Sequence, residues 1–378
     1  MIYLDNAATT MVSDEVIAAM RSYEKFAYGN PGSIHSMGRD AAKAIARARK
    51  QVAKPIGANP ENIIFTSGGS ESNSLAIVGL ANYLKSKGKT HIITSTIEHP
   101  SVLEAIKALF YMGFEVTYLP VNEKGYLPAS NLIGAIRDDT GLVSIMSVNN
   151  ETGNQLPTHS IGLICHQKNV LFHTDCVQGY GCTDIDVEDD CIDFLSVSGH
   201  KFHAPKGAGF LYARKKELLS PIIYGGGQEF GLRSGTENVA SIVGLGIAAK
   251  NMWENAGTTY KRNNKLRNLL ISLITSEVSG VHINGNPYEG SKTVNLRFDD
   301  VDGETLVLLL DALDIIVSAG SACSAHSALP SHVLTALGLS EKEAKSSIRI
   351  SFSDMTTEDE VRIAAKRITT AVKDLRNT

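Results

Sequence analysis

Residues 63–72 read Ile-Ile-Phe-Thr-Ser-Gly-Gly-Ser-Glu-Ser. An apolar run too short for a helix meets two glycines, and a stretch with helical spacing follows to about Lys85. Strand, glycine turn and helix in that order form the first half of a βαβ unit. Outward from it, from about Asn62 to Val239, the pattern repeats: HIITS, EVTYLP, LVSIMSV and VLFHTD, separated by longer amphipathic segments. Such alternation predicts a mostly parallel sheet with helices on both faces. FLSVSG and GAGFLYA follow with no long helix between them, so the later part of the sheet is expected to be mixed. Ser241 to Glu254 reads as one helix. After Ala256-Gly257, YKRNNKLRNLLISLITSEV opens a second pattern: strand TVNLRF, helix GETLVLLLDAL, strand SSIRISF and a terminal helix from Glu358 to Leu375. The fold class is α/β with a smaller α+β unit; residues 14–256 form the large domain, and 1–13 with 257–378 the small one.

At 378 residues, two cores are expected, because single cores stop growing near roughly 250 to 300 residues. Apolar residues make up 43% and charged residues 20%, the composition of an ordinary globular protein. The formal charge of -4 is spread along the chain, which argues against a direct nucleic-acid ligand. No apolar run approaches a membrane span, and MIYLDNAATT lacks the features of a signal peptide, so no membrane contact and a cytoplasmic location are expected. Five cysteines, an odd number without paired metal spacing, argue against a disulfide framework and against a metal site.

Six places carry candidate chemistry. Gly69 and Ser70, in the Ser67–Ser72 cluster, suit a phosphate at a helix start, or simply cap that helix. Asp175 and Gln178 end the strand VLFHTD, where open α/β sheets hold ligands; Asp175 there could pair with a protonated ring nitrogen, or cap the next segment. In Ser198-Gly199-His200-Lys201, the lysine has the setting for Schiff-base chemistry with an aldehyde, and Ser198 and His200 could donate to phosphate; an exposed loop lysine is the ordinary alternative. His99 could stack on an aromatic cofactor and move protons, or merely start a helix. Cys323 lies among six small residues, 319–325, in a polar, glycine-bearing segment that favours a reactive thiol over a buried structural one. Arg349, inside a β run, matches a substrate carboxylate or an internal salt bridge.

In sequence order, SGGSES, TIEHP, VNNETG, HTDCVQ, SGHKFHAPKG, GGGQEFGLRSGTENV, SAGSACS and SSIRIS resemble the NifS/IscS-type cysteine desulfurases along nearly the whole chain. YLDNAATT and YGNPGSIHSMG are similar to that family's N-terminal segments. The resemblance implies a fold-type I pyridoxal-phosphate transferase, class V aminotransferase-like, working as a homodimer. It makes the large domain the one that binds pyridoxal 5'-phosphate and places the mobile cysteine loop on the small one. Lys201 would link covalently to the cofactor aldehyde, Asp175 would hold the pyridine nitrogen, Gln178 the phenolic oxygen, and His99 would stack on the ring. Ser70, Ser198 and His200 would bind phosphate with Thr236 of the partner subunit. Asn150 and Arg349 would hold the carboxylate of L-cysteine, and Cys323 would take its sulfur as a persulfide for an acceptor protein: an iron-sulfur scaffold, a tRNA-thiolation or a DNA-phosphorothioation component. A selenocysteine lyase, an aminotransferase and a non-catalytic sulfur-assembly scaffold are the alternatives. Cys176, Ala204 and Phe230 depart from the commoner pattern, where alanine, glycine and arginine stand.

Overall fold

The computed structural model describes residues 1–286, 292–320 and 330–377; Cys323 lies outside them. Among the described residues twelve strands are present: β1 (Ile2–Tyr3), β2 (Ile63–Thr66), β3 (His91–Ser95), β4 (Glu115–Leu119), β5 (Thr140–Ser144), β6 (Leu171–Asp175), β7 (Phe194–Ser198), β8 (Gly209–Ala213), β9 (Val281–Asn284), β10 (Thr293–Phe298), β11 (Ile315–Ile316) and β12 (Ser347–Ser351). Seven form the main sheet in the order β2-β8-β7-β6-β5-β3-β4. It is parallel from β7 to β4, and β8 runs antiparallel to both of its neighbours. The expected mixed end of the sheet is β8, inserted between β7 and β2.

Alternate side chains of these strands enter different cores, as the two-residue strand period requires. Ile63, Phe65, Leu195, Val197, Phe210 and Tyr212 pack with the helices Asp14–Lys25, Ser36–Ala53 and Thr158–Gln167. Ile64, Ile92, Leu142, Phe194 and Leu211 pack with Gly69–Gly79 and Pro100–Tyr111. Both faces are therefore covered, which explains why most of the strands are buried along their whole length. A third core joins Leu266, Leu270 and Ile274 to the antiparallel sheet β12-β10-β9, to Ile2 and Leu4, and to the terminal helix Glu358–Arg376.

The break expected at Ala256-Gly257 is not there: one helix runs from Val239 to Glu277, 39 residues. Its first half packs Ile242, Leu245 and Ala249 on the large sheet, and its second half packs Leu266, Leu270 and Ile274 on the small one. Anchored at both ends, the helix tolerates the roughly 1 kcal/mol that an internal glycine costs. The helix expected to run to Lys85 is instead two, Gly69–Gly79 and Ala81–Ser86. The short strands β1, β9 and β11 were not evident from residue pattern; β1 and β11 have two residues each, too few to show a period.

Candidate active site

The carboxyl ends of the parallel strands converge on a cavity of about 180 Å³. β6 ends at Asp175, β7 at Ser198, and the residues after β3 and β5 bring His99 and Asn150 to the same place. Gly199–Lys201 forms one short helical turn that carries the lysine into the cavity. Ten of the twelve residues singled out in the sequence line it: Gly69, Ser70, His99, Asn150, Asp175, Gln178, Ser198, His200, Lys201 and Arg349. Thr236 does not; it sits exposed in the loop before Val239. The twelfth is Cys323.

Asp175 is buried, and its oxygens are both held: Oδ1 accepts the Val177 N–H at 2.9 Å, and Oδ2 accepts from Asn73 Nδ2 at 2.8 Å. Lys201 Nζ donates to the carbonyls of Ala7 and Ala8, each at 2.7 Å, and Gln178 Nε2 donates to Ala7 O at 2.9 Å, leaving Gln178 Oε1 buried without a partner. The N-terminal segment is thus built into the lysine's surroundings, which only its resemblance to family segments had hinted at.

His99 starts the helix Pro100–Tyr111, and its Nδ1 accepts the Ser101 N–H at 3.1 Å, so the helix-cap reading is correct alongside any chemical one. Ser101 Oγ lies 2.8 Å from the same nitrogen. Burial, more than any charge, pushes the His99 imidazole below its ordinary range; Asp175 opposes this, while Lys201 and His332 reinforce it. His200 is pushed down to about 4 by burial, with help from Lys201, Lys206 and Lys292. Neutral imidazole at both places keeps a proton donor without adding charge.

The phosphate-side cluster owes its shape to glycine. Gly68 has φ +155° and ψ −172°, a conformation open essentially to glycine alone, and it lets the chain turn into the helix Gly69–Gly79. A Cβ on Gly69 would meet Val177 Cγ2 at 2.6 Å, so this glycine is required for packing whether or not an anion is near. The first-turn N–H groups of that helix, Ser198 and His200 face the same cavity.

Arg349 is fully buried. Its Nη2 donates to Asp5 Oδ1 at 2.8 Å and its Nη1 to Asn150 O at 3.1 Å, with Nε lacking a partner. The salt-bridge reading therefore holds, and a guanidinium on the cavity wall remains available to a second anion. Ala204 is fully buried, its methyl 3.0 Å from where a Gly199 Cβ would stand; Cys176 is also fully buried, and burial raises its thiol to about 12, as suits a packing role. Asn73, Ser101, Asp5, Ala7 and Ala8 are the site residues that reading the sequence missed. They act through hydrogen bonds to other site residues and have no signature of their own.

The class-V aminotransferase family profile matches residues 2–363. A cysteine desulfurase IscS of Methanosarcina thermophila is 45% identical over 377 residues, covering 100% of this chain and 93% of that protein. Among solved structures, a NifS-like protein superposes with a TM-score of 0.92 at 38% identity, covering 99% of each chain. A structure described as SspA in complex with cysteine gives 0.83 at 39% identity, covering 94% of this chain and 100% of that one. The chain belongs to the cysteine desulfurases of the class-V aminotransferase family. As a class-V desulfurase it uses pyridoxal phosphate, and the cavity fits that group on its own terms. A buried carboxylate answers a protonated pyridine, and a lysine amine on the same cavity answers an aldehyde. A helix N-terminus with serine and histidine answers a phosphate. Among the described residues, no helix is long and apolar enough to cross a membrane, and no group of three or more His, Cys, Asp or Glu side chains is arranged around a metal position.

Proposed function

We propose that this cysteine desulfurase converts L-cysteine to L-alanine, takes the sulfur onto Cys323 as a persulfide and passes it to an acceptor protein. The observation that carries the reading is the convergence of ten residues, drawn from segments far apart in the sequence, on one cavity, with Lys201, Asp175 and Arg349 together on its walls. When bound, pyridoxal phosphate supplies an electron sink that stabilises the carbanion left after the substrate's α-proton departs.

The chain's own residues do the rest. Lys201 would anchor the cofactor, and its amine would accept the substrate's α-proton. Asp175 keeps the pyridine nitrogen protonated; Gln178 reaches the phenolic oxygen; Gly69, Ser70, Ser198 and His200 hold the phosphate. Arg349 and Asn150 orient the substrate carboxylate, which fixes the direction in which its sulfur points. His99 covers the ring and presents a proton donor to the substrate sulfur. The Cys323 thiolate attacks that sulfur: an S–S bond forms, the bond from sulfur to Cβ breaks, its electron pair stays on carbon, and protonation gives alanine.

In this reading, residues 14–256 make the cofactor-binding domain, and 1–13 with 257–378 make the domain that bears Cys323. The separate apolar core around β9, β10 and β12 supports that division. The working unit is a cytoplasmic homodimer in which Thr236 of the partner subunit completes each phosphate site; its exposed position on the 225–238 loop suits that role.

Two variants test the assignment. Cys323→Ala should keep the yellow cofactor while losing alanine and sulfide production; normal alanine output would overturn it. Lys201→Ala should abolish borohydride-stable attachment of cofactor to protein, and persistence of that attachment would mean that another lysine carries it.

A further inference from the structure

Asn73 is fully buried in the helix Gly69–Gly79, outside the set of residues that contact the cavity. Its Nδ2 lies 2.8 Å from Asp175 Oδ2 and 2.8 Å from Ser101 Oγ. The amide orientation is set by chemistry: a carboxylate only accepts, so turning Oδ1 toward Asp175 would oppose two acceptors. Both N–H bonds are then committed, and Oδ1 is left buried without a partner. A group of that kind costs about 1–3 kcal/mol, and an arrangement that tolerates it calls for an explanation.

The explanation lies at the next atom. Because Asn73 donates to Ser101 Oγ, the serine hydroxyl is free to point its own proton at His99 Nδ1, 2.8 Å away. The same nitrogen receives the Ser101 backbone N–H, which cannot turn around. Two donors aimed at Nδ1 require it to carry a lone pair, so the imidazole proton resides on Nε2.

We propose that Asn73 and Ser101 are positioning residues that couple Asp175 to His99, locking the imidazole as its neutral Nε2–H tautomer and resisting protonation at Nδ1. This rests on the reading of Asp175 and His99 as the groups facing the cofactor ring. The charged or titratable groups around His99 are Asp175, Lys201 and His332; Lys201 and His332 act with burial, and Asp175 acts against them. The relay decides between these influences through geometry: a proton on Nδ1 would collide with the Ser101 N–H. His99 thereby serves as a fixed hydrogen-bond donor rather than a base.

The test is ¹⁵N spectroscopy of histidine-labelled holoenzyme, with His99 assigned by its absence in His99→Gln. The wild type should show His99 protonated at Nε2 and bare at Nδ1, unchanged as the pH is lowered to the ordinary histidine value near 6.5. Asn73→Ala and Ser101→Ala each take away the hydroxyl donor or its orientation while the Ser101 N–H stays on Nδ1; each should move His99 titration upward in pH, while kcat falls about tenfold and KM changes little. Ser101→Ala removes the same link without opening the core, so a misfolded Asn73→Ala protein leaves the question answerable. A wild-type His99 titration in either folded, cofactor-loaded variant would overturn the relay, as would a wild-type His99 protonated at Nδ1. Failure of the wild type to take up the yellow cofactor would instead sink the site assignment beneath it.

Discussion

Arg349 and Asp5 are 344 positions apart in the chain, and the guanidinium Nη2 of one donates to the carboxylate of the other at 2.8 Å. The pair ties β12 to the segment following β1, on the wall of the cavity where a substrate carboxylate is proposed to bind. Arg349→Lys keeps the charge and loses the fork. KM for cysteine should rise by roughly ten- to a hundredfold, the value of a charge-assisted hydrogen bond, with a smaller change in kcat. Asp5→Asn strips a fully buried guanidinium of its counter-charge and should cost about 3 kcal/mol in urea unfolding. An unchanged KM in the lysine variant would place the carboxylate elsewhere.

Glu98 is completely buried beneath the site, where it accepts from Ser95 Oγ at 2.5 Å and from the Met146 N–H at 3.0 Å. Burial pushes its carboxyl up to about 8, against the pull of those donors. A folded-state value above the unfolded one means that the native protein holds the extra proton, so stability falls as pH rises toward and through about 8. The depressed histidines, His173 at about 3 and His200 at about 4, act in the opposite sense, and only below the ordinary histidine value near 6.5. Between pH 6.5 and 8, Glu98 therefore sets the slope, at most about 1.4 kcal/mol per pH unit. Glu98→Gln should fold and lose this slope; a glutamine variant with the wild-type slope would assign it to another group.

Glu229 is buried on Arg49 through two contacts of 2.6 and 2.8 Å and also accepts the Phe65 N–H of β2 at 2.7 Å. It pins the 225–238 loop that carries Thr236. Glu229→Gln should destabilise the protein by about 3 kcal/mol, because Arg49 is left without compensation. If Thr236 completes the partner's phosphate site, the cofactor should also dissociate faster. Equilibrium unfolding and cofactor loss during gel filtration separate the two effects.

Phe230, where the family commonly has arginine, holds φ +61° and receives the Lys216 ammonium 3.6 Å from its ring centroid and the Arg49 guanidinium at 5.2 Å. Phe230→Arg replaces an attractive ring face with a third cation. It should cost about 1 kcal/mol, more at low salt than at high salt. A salt-independent effect would point to shape instead of charge.

Cys176 should resist iodoacetamide at pH 8 in the folded protein and react only on unfolding, since its thiol is held near 12. Cys176→Ala should leave turnover intact and cost about 1 kcal/mol for the space that it opens. Peptide mapping of the alkylated protein reads this directly.

The main sheet was legible because most of its strands are buried on both faces and so stand out as apolar runs, the edge strand β4 with its exposed Glu115 and Tyr118 being the exception. The continuity of Val239–Glu277 was not, because Ala256-Gly257 carries a local stop signal that packing at both ends overrides. At the site, Lys201, Asp175, His99 and Arg349 announced themselves as polar residues at strand ends or within an apolar strand. Their partners Asn73, Ser101 and Asp5 look like ordinary helix, cap and loop residues, and nothing in their own neighbourhoods marks them.

The sequence by itself determined the layered α/β architecture and which side chains carry reactive groups, because hydrophobic period and residue chemistry are local properties. Only the tertiary structure decided which atoms those groups face: that Asp5 neutralises Arg349, that the carbonyls of Ala7 and Ala8 hold Lys201, and that Asn73 stands between Asp175 and Ser101. Hydrogen bonds depend on distances of a few ångströms between segments that the chain keeps tens or hundreds of residues apart, and folding alone brings them within reach.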